Sequence, residues 1–316
     1  MPLPLVIVNP TSAAGATGAA WPRLASELRA HFGAFEPAFT AARGDGRRIA
    51  ARAAAAGRAF IVACGGDGTI SEVANGILEA GAPAELGVLP SGTGGDFRRT
   101  LALPGGAAAA ARALRDGRTE LIDVGRVEFV NHEGADEARY FLNVASCGMG
   151  GEVVRRVKAE GGGRLARGSA RLLGGRGAFA LAALQTTLSF TKPIIRVQLD
   201  GRPKRRLTVA NLCVANARYF GGGMKIAPEA KLNDGLLDVV ALGDLDTLTI
   251  LTNVHRLYLG THLGMQQVHH AHAQRVIARA ADESQPVLLE VDGELVGTLP
   301  ASFEIKPSAL RVRVPG

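Results

Sequence analysis

The chain has 316 residues, 47% of them hydrophobic and 21% charged, with a formal net charge of +7. That length suits two moderate domains with their own cores, and the balance excludes wholesale disorder, a collagen-like repeat and a coiled coil. The positive charge favours anionic partners such as nucleotides or phospholipid surfaces, whereas 5% aromatic content and the lack of a basic stretch interleaved with aromatics argue against nucleic acid.

The N-terminal run MPLPLVIVNP lacks a basic leader, so residues 3–8 read as a first strand and not as a signal peptide. A helix over 19–32, a strand over 34–40, a helix over 47–56, a strand over 59–63, a helix over 70–80 and a strand over 85–89 follow. Strands alternating with helices predict an α/β domain whose parallel sheet is covered on both faces. Ligands in such sheets bind beyond the carboxyl ends of the strands, where the loops NPTSAAGATG, GGDGT and PSGTGGD all fall.

From about residue 123 the pattern changes to extended runs broken by turns, which predicts a mainly antiparallel β second domain. Asp200-Gly201 is a hairpin signal, and helical interruptions are predicted around 152–188 and 245–258. The longest apolar stretch, GAFALAALQTTLSF, is too short and too polar to span a bilayer, so membrane contact is expected to be peripheral. Cys64, Cys147 and Cys213 are odd in number and far apart, which fits reduced buried thiols and a cytoplasmic location.

The stretch CGGDGTISEVANGI carries the chemistry. A buried strand, three glycines and a helix start make an anion site from free N–H groups and the helix dipole, and Thr69-Ile70-Ser71-Glu72 has the spacing of a capping box. Asp67 would repel a phosphate unless a cation lies between them or its carboxylate acts on a proton. A lone Gly-Asp-Gly is more often a self-capping turn, but two further glycine-rich loops at neighbouring strand ends shift the balance to function. PSGTGGDF places Ser91, Thr93 and Asp96 among glycines in the same way.

VIVNPTSAAGATG, GGDGTISEVANGI, GVLPSGTGGDFRRTLALP, KLNDGLLDVV and VDGELV, in this order, resemble the bacterial diacylglycerol kinase-like lipid kinases, a group that includes sphingosine and ceramide kinase catalytic domains. The resemblance implies an ATP-binding α/β domain similar to those of NAD kinases and phosphofructokinases, residues 1–122 with 299–316. It implies a β-sandwich-like domain over 123–298. It further implies ATP and Mg2+ as cofactors, a lipid substrate and a homodimer.

By the same resemblance, Asp67 matches the family's essential aspartate and Glu294 the glutamate proposed as catalytic base, with Asp292 beside it at the nucleotide. Which carboxylate takes the proton stays open. Nucleotide contacts are implied at Asn9, Thr40, Gly66, Gly68, Thr69 and Thr93. A magnesium site is implied at the Asp234 side chain and the carbonyls of Lys231 and Leu236, with Asp96 and Asp123 in a water-mediated network towards Asp67. Taken alone, Asn233-Asp234-Gly235 and Asp292-Gly293 read as ordinary turns. The third motif departs from the family, because Gly95 stands where an asparagine is usual.

Two other features invite function. His269, His270 and His272 lack helical spacing and read as a solvated loop. Arg155, Arg156, Lys158, Arg164, Arg167, Arg171 and Arg176 form a loose basic run that is either a solvated face or a dock for anionic headgroups. The expected function is therefore an ATP- and Mg2+-dependent lipid kinase. A soluble-substrate kinase resembling NAD kinase and a non-catalytic nucleotide- or lipid-binding regulator are the alternatives.

Overall fold

Leu5–Val8 (β1), Phe60–Gly65 (β3) and Glu85–Pro90 (β4) are continuous apolar runs because helices cover both of their faces. In the computed structural model, residues 2–91, 95–161 and 183–316 are described. They divide into two compact units, Met1–Val124 with Pro307–Gly316, and Gly125–Lys306.

In the first unit, β1 pairs in parallel with β3 and with Glu36–Phe39 (β2), and β3 pairs in parallel with β4. The C-terminal segment returns as a further parallel neighbour of β4 through Arg311 and Val312. Val6, Val8, Val62 and Cys64 pack with Ala25 and Leu28 of helix Ala16–His31 (α1) and with Ala110, Ala111 and Leu114 of helix Ala107–Asp116 (α5). Leu5, Ile7, Ile61 and Ala63 alternate to the opposite face, where Asp45–Ala55 (α2) and Asp67–Ala80 (α3) pack on the strands. Full burial of each large side chain stabilises by roughly 1.5–3 kcal/mol.

Several elements differ from expectation. α3 starts at Asp67, with extended Gly66 as its N-cap, because a carboxylate in the first turn complements the helix dipole. Glu72 is consequently not half of a capping box; it accepts hydrogen bonds from the N–H groups of Gly44 (2.8 Å) and Gly46 (2.9 Å) at the start of α2. Asp96–Thr100 (α4) and α5 escape sequence reading because one is five residues long and the other is an alanine-rich segment with three buried positions.

α2 and α3 approach so closely that a Cβ at Gly76 would lie 2.2 Å from the Arg47 carbonyl oxygen and 2.8 Å from Ala50 Cβ. Gly76→Val is therefore expected to destabilise the protein by about 3 kcal/mol or more, read as a shift in the denaturant midpoint. An unchanged midpoint would contradict this packing.

The second unit is largely antiparallel. Its strands are the later part of Arg118–Asn131 (β5), Asp136–Phe141 (β6), Val144–Gly148 (β7), Ile194–Leu199 (β8), Arg205–Thr208 (β9), Asn211–Ala215 (β10) and Leu237–Leu242 (β11). Val268–Ala273 (β12), Arg275–Ala280 (β13), Leu288–Val291 (β14) and the first part of Glu294–Val314 (β15) complete it. One run orders β12, β11, β10, β7, β14 and β15, and another joins β9, β8, β13 and β15. Their inward side chains, among them Phe129, Phe141, Leu212, Leu289 and Phe303, share one core.

Asp200 and Gly201 lie at positive φ in a turn closed by the Arg202 N–H to the Leu199 carbonyl, as the Asp-Gly signal predicts. Helix Met149–Gly161 (α6), helical residues 183–189 and helix Thr247–Leu259 (α7) account for the described helical interruptions. The His269–His272 stretch is not a solvated loop: it forms most of β12, paired with β11, because Val268 and Ala273 bury at its ends.

Candidate functional site

The first unit assembles three loops at the carboxyl ends of β1, β3 and β4. Asn9 Nδ2 donates to Thr69 Oγ1 at 3.0 Å, which joins the first loop to α3. The Gly66 N–H donates to Ser12 Oγ at 3.0 Å, and Thr17 Oγ1 donates to the Ser91 carbonyl at 2.7 Å. These bonds bring Asn9, Gly66, Gly68 and Thr69 together as one polar surface.

Asp67 is half-buried at the centre of that surface. Its Oδ2 accepts from the N–H groups of Gly95 (2.7 Å) and Asp96 (3.2 Å), and its Oδ1 accepts from Phe97 N–H at 3.2 Å. The carboxylate thus caps α4 and ties the second loop to the third. A helix N-terminus leaves its first N–H groups without intrahelical acceptors, so a side-chain oxygen there satisfies donors that would otherwise need water or a ligand. Asp96 is buried, with Arg99 Nη1 2.8 Å from its Oδ1. Asp123 is also buried and accepts from Ser308 N–H at 2.8 Å.

Thr40 follows β2 directly and is buried, its N–H bonded to the Val8 carbonyl. The loop after it is pinned by Asp45, whose carboxyl is held down to about 2 by the Arg48 hydrogen bond and by the N–H groups of Ala41 and Ala42. Thr93 lies outside the described residues, as do Arg164, Arg167, Arg171 and Arg176 of the basic run. Arg155 and Arg156 both pair with Glu152, at 2.8 and 3.3 Å, which spends their charge within α6.

In the second unit, Asp292 and Gly293 sit at positive φ in the two-residue hairpin between β14 and β15, with Val291 opposite Glu294. The Asp292 carboxylate accepts from three successive N–H groups: Leu142 (2.9 Å), Asn143 (2.9 Å) and Val144 (3.2 Å). That arrangement anchors the hairpin to the start of β7. Glu294, partly exposed, meets Arg139 Nη1 at 3.2 Å, while Arg139 Nε bonds Glu137 at 2.7 Å. Buried Glu290 accepts from Ser146 Oγ at 2.7 Å and from the Gly293 N–H. Asp234 is exposed, its Oδ1 accepting from Leu236 N–H at 3.1 Å in a turn that also contains the Lys231 end of the motif.

Sequence reading missed Arg139, Ser12 and Thr17. Arg139 carries no local signal, because a hairpin rich in alternating charges hides which cation will face Glu294. Ser12 and Thr17 are visible only as small polar residues in a loop.

The donors present suit a bound nucleoside polyphosphate with a hard cation. The first intrahelical bond of α3 runs from Ile70 N–H to Gly66, so the N–H groups of Asp67, Gly68 and Thr69 are not used within the helix. A Cβ at Gly68 would meet nothing within 4 Å, which leaves room for an anion. Asp67 and the turn around Asp234 offer carboxylate and carbonyl oxygens, the ligand type that magnesium takes.

Comparison with known proteins shows the family. The Diacylglycerol kinase catalytic domain profile matches residues 4–127, and the YegS C-terminal NAD kinase beta sandwich-like domain profile matches residues 162–314. The chain is 32% identical over 276 residues to the diacylglycerol kinase of Mycobacterium tuberculosis H37Rv, covering 86% of this chain and 82% of that protein. The chain belongs to the diacylglycerol kinase family.

A second family member, the Pseudomonas aeruginosa PAO1 protein named probable lipid kinase YegS-like, is 34% identical over 280 residues, again covering 86% of this chain and 82% of the relative. A Bacillus anthracis crystal structure named as a diacylglycerol kinase shares the fold at a TM-score of 0.69 and 19% identity, covering 99% of this chain and 96% of that one. Another structure from the same organism aligns at a TM-score of 0.75 and 23% identity, over 99% and 97%. The fold is thus the family's: an α/β domain with parallel strands followed by a β-rich domain.

Within this family fold the departure at Gly95 has a backbone explanation. Gly95 has φ 67° and ψ 37°, the left-handed region that glycine and asparagine adopt most readily, and its N–H bonds Asp67. Gly95→Asn is expected to keep the fold within about 0.5 kcal/mol, whereas Gly95→Val should cost about 1–2 kcal/mol or more through strain. Thermal unfolding of the two variants checks this, and equal losses for both would contradict it.

Proposed function

We propose that this family member is an ATP- and Mg2+-dependent lipid kinase that transfers the γ-phosphoryl group to a hydroxyl of a diacylglycerol-like or sphingoid lipid. The observation that carries the proposal is the Asp67 carboxylate at a glycine turn and helix N-terminus, held by three N–H bonds among loops rich in anion donors. Bound ATP would supply the phosphoryl group, and magnesium would neutralise its charge.

The chain's own residues have distinct tasks in this reading. The first unit, Met1–Val124 with Pro307–Gly316, is the nucleotide domain, where Asn9, Thr40, Gly66, Gly68, Thr69 and Thr93 orient the nucleotide and the α3 N–H groups hold phosphate oxygens. Asp67 carries the cation, directly or through water. The second unit, Gly125–Lys306, is the lipid-side domain. Its Glu294, aimed by Arg139, accepts the proton of the attacking hydroxyl, and Asp292 positions the hairpin that presents it. The turn at Lys231, Asp234 and Leu236 would hold a structural magnesium, with Asp96 and Asp123 in a water-mediated network towards Asp67.

A water-insoluble substrate requires contact with a bilayer. No helix among the described residues is long and apolar enough to cross one. α7 offers peripheral contact instead: Leu248, Leu251, Val254, Tyr258 and Leu259 recur at helical spacing on one stripe and are all exposed, Leu248 to 71%. Leu248→Asp combined with Leu259→Asp is expected to weaken binding to lipid vesicles roughly tenfold or more, with turnover of a short-chain dispersed lipid retained. Vesicle flotation tests this, and unchanged binding would remove the stripe from the account.

The substrate test is mass spectrometry of products from ATP with diacylglycerol, monoacylglycerol, sphingosine and ceramide in mixed micelles, with NAD in parallel. A phosphorylated lipid supports the proposal. NADP would move the protein to the soluble-substrate alternative, and ATP binding without any product would favour a regulator.

A further inference from the structure

We propose that Asp238, His270 and His272 form a binding site for a divalent transition-metal cation, Zn2+ foremost. The site lies on β11, directly after the Lys231–Leu236 turn, and rests on the register of β11 and β12. Asp238 stands directly opposite His272, and His270 lies opposite Val240, so the three side chains share one face of the two-stranded ladder.

The polar atoms converge. His270 Nε2 is 2.8 Å from Asp238 Oδ1 and His272 Nε2 is 3.4 Å from the same oxygen. All three candidate ligand atoms lie within 4.8 Å of one another. Tetrahedral coordination with bonds of 2.0–2.1 Å separates ligand atoms by about 3.3 Å, so small side-chain rotations would enclose a cation. Two imidazoles and a carboxylate with a remaining open position is a recurrent ligand set for zinc and for other d-block cations. Imidazole donors select against Mg2+, which takes oxygen ligands.

Burial strengthens the case. The Asp238 side chain is only 4% exposed, beside a core that includes Val240, Leu242 and Val268, and a carboxylate in such surroundings is paired or coordinates a metal, here with His270 and His272 as its neighbours in either case. His272 is 48% exposed, which gives a cation a route in and leaves solvent for a further ligand. Rival ligands are engaged elsewhere. His262 Nε2 is 3.0 Å from the Ile226 carbonyl, His269 points to the opposite face of β12, and burial pushes the thiols of Cys64 and Cys147 up to about 12 and that of Cys213 well above its ordinary value.

The experiment is calorimetric titration of the full chain with Zn2+ in excess Mg2+, repeated with Co2+ to read coordination from the visible spectrum. Wild type is expected to bind about one equivalent, with His272→Gln and Asp238→Asn each weakening binding by at least about tenfold and His269→Gln leaving it unchanged. Because His272 is exposed, its substitution keeps the fold, so folding and ligation are separable by far-UV circular dichroism. Absence of stoichiometric Zn2+ binding in wild type, or binding in His272→Gln equal to wild type, would overturn the site.

Discussion

Asp67→Asn is expected to lower lipid phosphorylation by about 10^3-fold, ~4 kcal/mol of transition-state stabilisation, in a protein that remains folded. The estimate follows from charge. Asparagine preserves the shape and one acceptor oxygen but removes the anion that would hold the cation against a polyphosphate. The structural cost is smaller. The three N–H bonds from Gly95, Asp96 and Phe97 would be partly lost, and the N-terminus of α4 would lose a complementary charge, together about 1–2 kcal/mol. The measurement is kcat and KM for the lipid alongside the denaturant midpoint. A fall in kcat with KM for the lipid retained marks a transition-state role, whereas wild-type turnover would remove Asp67 from the site.

Glu294→Gln is expected to reduce kcat by about 10^2–10^4-fold, the range for loss of a general base. Glutamine can still accept from Arg139, so orientation survives while the capacity to take a proton does not. The partly exposed pair with Arg139 contributes at most about 1 kcal/mol to folding, so the variant should unfold close to wild type. A Glu294→Gln enzyme with wild-type kcat would shift the base to another carboxylate, with Asp67 the first to test.

Much of the first unit was legible because its signals are local. A buried strand followed by Gly65, Gly66 and Gly68 predicts a strand, turn and helix N-terminus, and α3 begins there. Asp-Gly pairs likewise announced the hairpins at 200–201 and 292–293. What resisted reading depends on distant partners. Thr69 and Glu72 have the spacing of a capping box, yet Thr69 accepts from Asn9 and Glu72 serves the start of α2. The histidine run was misread because its strand pairing with β11 depends on a buried sheet face that its own composition does not reveal. Arg139 faces Glu294 across 155 positions of chain, beyond any local pattern.

Transfer of labelled γ-phosphate from ATP to an organic-extractable lipid, measured for wild type and Asp67→Asn side by side at fixed Mg2+, tests the central claim most directly. The account predicts a labelled lipid from wild type that disappears when Mg2+ is chelated and is reduced about 10^3-fold in the variant. Equal label from both proteins, or label entering NAD and no lipid, would contradict it.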